Sequence, residues 1–360
     1  MNREGEGVGY LMPLVENCAS LNKIISGKAK QPNPRMLSRL SYLLCVGVDT
    51  IHAAGLAYCD ISVKNAAFAF QECAPKVYIW DNDNVVVNNA DVAIRGVWEF
   101  MAPEVALGKA KPNAETDLYS IAVLLYHMWM WEHPMDGKKT FSVYSWDIPA
   151  KKEFYASRPI FAFHPSDKSN SAEGVDLLEL STQRWNKLCP TLLKETFIKS
   201  FTDGVTIPGS RIRLADWRRL FLALEANAYR CPKCTAYNLV DGSIRQAKCF
   251  NCEASLPQEL VLCNRERGSR ARLVVHQGAL LRGHHVGFAD VLTEADKVWG
   301  EIEAHPKIVG AHILRNHMQD TWVYTTADGQ KFLIAPGQAR ALLPDACLSI
   351  GASTIMVERL

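Results

Sequence analysis

Residues 51–65, IHAAGLAYCDISVKN, join the end of an apolar helix to a turn glycine and then to an Asp and an Asn at fixed spacing. Asp60 and Asn65 stand five residues apart, with Lys64 beside the Asn. A loop Asp can accept a hydroxyl proton, and an Asn amide oxygen can ligate Mg²⁺. Upstream, residues 36–54, MLSRLSYLLCVGVDTIHAA, repeat apolar positions at three and four and so predict an amphipathic helix that delivers Gly55 and the loop. An Asp and an Asn five apart are common, so the weight lies with the downstream motifs and their order along the chain.

Sixteen residues past Asn65, the β-rich run VYIWDND reaches Asp81, a second carboxylate suited to a metal. Met101-Ala102-Pro103-Glu104 comes next, and then ETDLYSIAVLLYHMW, apolar nearly all round and therefore expected to be a buried helix over 113–131 with Asp117 inside it. A buried carboxylate is costly unless hydrogen-bonded, so Asp117 needs donors close by. Farther on, Arg211 precedes Trp217 by six residues.

In this order and spacing, residues 8 to about 225 resemble the C-terminal lobe of eukaryotic-like protein kinases, specifically the bacterial kinases with a zinc ribbon of tellurite-resistance-type phosphorylation modules. Tyr58-Cys59-Asp60 takes the place of the family's His-Arg-Asp, Asp81 that of Asp-Phe-Gly, and Ala102-Pro103-Glu104 that of Ala-Pro-Glu. The resemblance implies a Ser/Thr kinase that moves a phosphoryl group from Mg·ATP to a protein hydroxyl. It makes Asp60 the base, puts Asn65 and Asp81 on magnesium, and puts Lys64 on phosphate, since Ser62 stands where Ser/Thr kinases carry a lysine. It sets Asp117 beneath the catalytic loop and makes Glu104 and Arg211 a buried ion pair. His52 reads as a structural hydrogen-bonder.

Three departures bear on activity. Cys59 replaces the arginine that meets a phosphorylated activation segment, and residues 82–103 contain no Ser, Thr or Tyr to phosphorylate. Asn82 and Asp83 replace the Phe and Gly after the metal-binding Asp. GYLMPLVENCASL, at residues 9–21, reads as the hinge between lobes, with no glycine loop and no Val-Ala-Ile-Lys strand before it. The expectation is a large lobe without its small lobe. Three explanations compete: a missed upstream start, a small lobe supplied by another chain, or a catalytically inactive pseudokinase scaffold that binds partners.

Composition permits a multi-domain chain of 360 residues with 48% hydrophobic content and a net charge of +2. Such a balance creates no global field toward nucleic acid or an anionic membrane, and no apolar run reaches the length of a spanning helix. A cytoplasmic location is expected, with reduced cysteines. Four of the eleven cysteines form CPKC and CFNC, separated by fourteen residues. Cys231, Cys234, Cys249 and Cys252 in this pattern predict one structural Zn²⁺ in a closed tetrahedral site, hence a zinc ribbon over 227–257. Arg230, Lys233, Arg245 and Lys248 lend it positive charge, but Asp241 and Glu253 offset part of it and no dense basic stripe points to nucleic acid.

From 258 to 360 the texture is short alternating runs, LVVH, TWVYTT, KFLIA and TIMVE, split by DGQ, PGQ and LPDA turns. These predict a small all-β sandwich. Asn316, the Asp328-Gly329 turn and Ile350-Gly351 carry a resemblance to the second half of a forkhead-associated domain. The ligand that this implies is a phosphothreonine peptide, with Arg282 or Arg315 as candidate phosphate contacts, although the Ser-x-x-His motif is absent. The predicted architecture is a mainly α-helical kinase-like lobe over 1–226, the ribbon, and the sandwich.

Overall fold

The computed structural model describes residues 15–69, 75–90, 96–239, 248–256, 260–264, 272–288 and 292–359. Residues 9–14 of the hinge stretch lie outside them. Helix α1 (Pro34–Ala53) starts where Asn33 accepts the amide of Met36 at 2.8 Å and Pro34 fills the first helical position. Its buried face carries Leu37, Leu40, Leu44 and Val48. The helix ends at Gly55, whose φ of 77° a side chain would resist.

After a two-residue ribbon, Leu56–Ala57 against Val86–Val87, the loop 58–65 leads into β1 (Ala66–Ala69), antiparallel to β2 (Lys76–Ile79) with Ala66 opposite Ile79. Helix α2 (Ala114–Met130) is capped by Asn113 and Thr116, each bonding the other's backbone amide. Thirteen of its residues are buried, so it runs through the lobe rather than over it. Trp129 Nε1 donates to Ser41 of α1 at 3.0 Å, pinning the two helices together. Helices α3 (Thr191–Phe201) and α4 (Leu214–Ala226) close the lobe, with Trp217 stacked on Phe221 and tilted against Phe197.

Strands β3 (Ala228–Arg230) and β4 (Tyr237–Leu239) then form a hairpin that carries the first cysteine pair. The chain continues as β5 (Leu260–Asn264), β6 (Arg272–Val274), β7 (Leu280–Arg282), β8 (Val298–Ala304), β9 (His312–Asn316), β10 (Trp322–Thr325), β11 (Lys331–Ile334), β12 (Ala339–Ala341), β13 (Cys347–Ile350) and β14 (Ser353–Arg359). Six of these pair in the order β11-β10-β13-β14-β5-β6, and four in the order β7-β8-β9-β12. Inward residues of both sheets, among them Trp322, Tyr324, Leu348 and Val357 on one and Leu281, Ile302 and Leu314 on the other, share one core. The C-terminal region is thus a β-rich unit of two facing sheets.

The units are joined by buried contacts. Arg39 of α1 reaches Asp296 at 2.5 Å and Glu225 of α4 at 3.6 Å, while Arg282 reaches Asp296 at 3.0 Å. Ala226 packs with the sandwich core, and Leu239 of the hairpin packs on the helical core. No described helix is long and apolar enough to cross a membrane.

Candidate active site

The loop between α1 and β1 is held from beneath by one side chain. Asp117 is 1% exposed and accepts the Tyr58 amide at 2.7 Å, the Cys59 amide at 3.0 Å and His52 Nε2 at 2.9 Å. Its carboxylate oxygens meet three donors, which offsets the cost of burying the charge. Cys59 sits at φ 64°, a left-handed conformation that costs a non-glycine residue energy and persists only where the surroundings impose it. Burial, and then the charges of Asp117 and Asp60, push its thiol up to about 12, so it is an inert filler rather than a nucleophile.

Bracing the loop in this way aims Asp60 across to Asn65. The Asn65 amide donates to the Asp60 carbonyl at 2.9 Å and to Asp60 Oδ2 at 3.1 Å. Asn84 donates to the same Oδ2 at 3.2 Å, while Oδ1 is buried with no hydrogen-bond partner among the described residues. Because Asn65 spends its NH₂ on Asp60, its amide oxygen remains as an acceptor.

Asp81 arrives from the other side of the cleft at the end of β2. The Trp80 amide donates to the Asn65 carbonyl at 3.1 Å, which fixes the register of 80–81 against the loop. The Tyr58 hydroxyl donates to the Trp80 carbonyl and lies 3.4 Å from that of Asp81. Burial, then Asp60, then Asp81 raise the Tyr58 phenol well above its ordinary value, so it stays a donor to those carbonyls. Asp81 is exposed and left-handed at φ 61°, a second strained residue in the same cleft. Lys64 is exposed at the cleft edge, with its carbonyl accepting Trp80 Nε1 at 2.8 Å. The structure therefore holds Asp60 against Asn65, and the hydrogen bonds of Trp80 to the carbonyls of Lys64 and Asn65 set the backbone of Asp81 and Lys64 beside that pair.

A comparison with protein-family models matches residues 8–196 to the protein kinase domain. The chain belongs to the protein kinase domain family. A comparison with curated proteins found no match.

Protein kinase domains in general use Mg·ATP and act on proteins, and the oxygen donors here suit that hard cation. In this kinase domain, two positions went unnoticed in the sequence. Asn84 follows Asp81 by three, and only the short 3₁₀ turn at Asn82–Asn84 swings it onto Asp60. Gly96 is the other: a Cβ there would lie 2.9 Å from the Cys59 carbonyl and 3.3 Å from Asp60 Oδ1. A glycine shortly before Ala-Pro-Glu was the available signal, and its close backbone approach is the reason for it.

Glu104 and Arg211 meet through two 2.8 Å hydrogen bonds, and Arg211 also donates to the carbonyls of Gly204 and Glu115. Arg211 is buried in this pair, which ties the segment after the cleft to the base of the lobe.

The four cysteines converge apart from this cleft. All four sulfurs lie within 4.8 Å of one another, with Cys231–Cys252 at 3.7 Å and Cys234–Cys249 at 3.5 Å. Tetrahedral thiolates at about 2.3 Å from one Zn²⁺ would be about 3.8 Å apart, so the cluster fits that ion. The two knuckles repeat each other: the amides of Thr235 and Glu253 donate to the carbonyls of Cys231 and Cys249, and both residues have positive φ. Asn238 Nδ2 lies 3.6 Å from Cys249 Sγ, an N–H directed at a ligand sulfur. The Ala236 amide and the Asn251 side chain lower the Cys234 thiol, while its sulfur neighbours raise that of Cys252, so the four sulfurs share their protons as one set.

In the sandwich, both candidate phosphate-binding arginines are engaged with carboxylates, Arg282 with Asp296 and Arg315 with Glu303. Asn316 is fully buried and donates to the carbonyls of Asp320 and Ile334. Those contacts give it a structural part in the turn after β9.

Proposed function

We propose that this chain is the large lobe of a protein Ser/Thr kinase, transferring the γ-phosphoryl group of Mg·ATP to a protein hydroxyl. Asp60 is the base: Asn65 and Asn84 hold one carboxylate oxygen, and the other remains to take the proton of the incoming hydroxyl. The Asn65 amide oxygen and the Asp81 carboxylate are the magnesium ligands, and Lys64 meets phosphate at the cleft edge. Magnesium, when bound, offsets the charge of the transferring phosphoryl group. The observation that carries this reading is the Asp117 brace, which fixes a strained Cys59 and so the direction of Asp60. The glycine loop and strand lysine of a small lobe are not among the matched residues, so activity is proposed for this lobe together with one.

Two finer assignments complete the proposal. The four-cysteine module is a zinc ribbon of the kind carried by tellurite-resistance-type kinases, its metal structural. The β-rich region is a forkhead-associated-like domain acting as a docking module; with its two candidate arginines engaged by carboxylates, we do not assign it a phosphopeptide. A second reading, a non-catalytic scaffold, is favoured by polar Asn82 and Asp83 where the family has Phe and Gly.

The test is transfer of labelled γ-phosphate from Mg·ATP to a serine-containing protein. Asp60→Asn should lower the rate by about 10² to 10⁴ without changing nucleotide affinity. A rate unchanged by Asp60→Asn overturns the base assignment, and no transfer by any preparation that includes a small lobe favours the scaffold.

A further inference from the structure

Between α2 and α3 the chain runs through residues 138–158, KKTFSVYSWDIPAKKEFYASR. Four large apolar side chains within eight residues face solvent: Phe141, Tyr144, Trp146 and Ile148, with Tyr144 fully exposed and Ile148 60% exposed. Folding gains nothing from apolar area left in water, and clustered exposure of this kind marks a binding surface. The stretch is firmly mounted. Gly137 lies against the Asn170 carbonyl where a Cβ would be 1.9 Å away, and the Lys139 amide donates to Asn170 Oδ1 at 2.9 Å. Asp147 caps the helix Ile148–Lys152 through the Ala150 amide at 3.0 Å, and Trp146 stacks on Phe154 at 6.0 Å.

Charge around these apolar groups is one-sided. Residues 138–158 hold five basic and two acidic side chains in a chain whose total is only +2. Glu153 pairs with Arg158, Asp147 faces its helix, Glu99 pairs with Lys151, and Asp167 feels Lys139. Lys138, Lys139 and Lys152 stand exposed at the two ends of the apolar stretch. The patch also adjoins the catalytic groove. Lys151 Nζ lies 2.6 Å from Glu99 Oε1, Glu99 feels Lys64 as well, and Gly96, three residues before Glu99, lies against Asp60.

We propose that residues 138–152 form a docking surface for the protein substrate, one that recruits an acidic segment carrying a large apolar side chain; this rests on the proposed kinase activity. Apolar anchors fill the space between Lys138 and Lys139 at one end and Lys152 at the other, and the lysines supply complementarity that speeds and orients encounter. Continuity with the groove calls for a chain that also presents a hydroxyl. Three exposed lysines in two separated groups fall short of the basic track that a nucleic acid follows and of the polybasic cluster that holds a protein to anionic lipid.

The test uses the full chain and the fluorescence anisotropy of a labelled synthetic peptide of Glu and Leu around one Ser. A Lys-for-Glu peptide, a short oligothymidylate and phosphatidylserine vesicles serve as comparisons. The acidic peptide should bind, more weakly at higher salt, and the lysine peptide should not. Tyr144→Ser with Ile148→Ser, and Lys138→Glu with Lys139→Glu and Lys152→Glu, should each weaken binding by about tenfold. The melting point should hold, since these side chains are exposed. Asp60→Asn should bind like the parent. Unchanged affinity in both patch variants, equal binding of the lysine peptide, or binding of the oligonucleotide or vesicles alone overturns the proposal. Binding through the patch with no phosphate transferred when a small lobe is also supplied leaves docking standing and removes the phosphotransfer reading; transfer insensitive to the patch does the reverse.

Discussion

At the scale of single residues the cleft depends on Asp117. Its carboxylate satisfies two backbone amides and His52, so Asp117→Ala would leave buried donors unpaired at about 1–3 kcal/mol each. We expect that variant to lose several-fold in urea resistance and to release the Cys59 thiol, now buried, to alkylation by a thiol reagent. Retention of both stability and thiol protection would show that the brace is not what holds the loop. Asp60, Asn65, Asp81 and Asp117 were legible in the sequence because each falls at a fixed distance along the chain from a motif of distinctive composition. Asn84 and Gly96 were not, because their contacts with Asp60 arise from a short turn and a close backbone approach that leave no periodic trace.

Among elements, those with one dominant physical cause read most clearly. α2 is apolar nearly all round, and the structure buries thirteen of its residues. The paired cysteine knuckles likewise allow little else, and their near-identical hydrogen bonding places the four sulfurs together. We expect one zinc per chain by metal analysis, lost in Cys249→Ser, and a chelator to expose four reactive thiols while the helical lobe keeps its far-ultraviolet signal. Absence of zinc from protein purified without chelator would contradict the closed site. The region after α2 was far less legible: residues 138–188 form short helical turns, including Lys138–Phe141 and Ile148–Lys152, whose order comes from packing rather than from periodicity. The sandwich strands showed alternation, but sheet order depends on non-local pairing, such as β14 with β5, that alternation does not encode.

For the molecule as a whole, stability should depend on pH through imidazoles buried in both halves. Burial holds His127 and His284 down to about 4 and His133 and His285 lower than their ordinary value, so all four are neutral when folded. The unfolded chain protonates them near 6.5, so it binds more protons below that pH and stability falls from about pH 6.5 toward 4. Asp136 and Glu132, pushed up by burial to about 6 and about 7, act in the opposite sense: their contribution is greatest in acid and is lost as pH rises through those values. Four imidazoles outweigh two carboxyls, and urea midpoints should drop between pH 6.5 and 4.5; a rise would contradict it. The same global stability gives the most direct test of the cleft. A ligand that binds only the folded state at about a hundredfold excess over its Kd adds about 2.7 kcal/mol. With a small lobe supplied, titrating Mg·ATP while following thermal unfolding should raise the transition of the parent and of Asp60→Asn, and leave Asp81→Asn unmoved. A parent protein that stays indifferent to Mg·ATP with a small lobe present, or an Asp81→Asn variant stabilised as much as the parent, would contradict the assignment of these residues to nucleotide-bound magnesium.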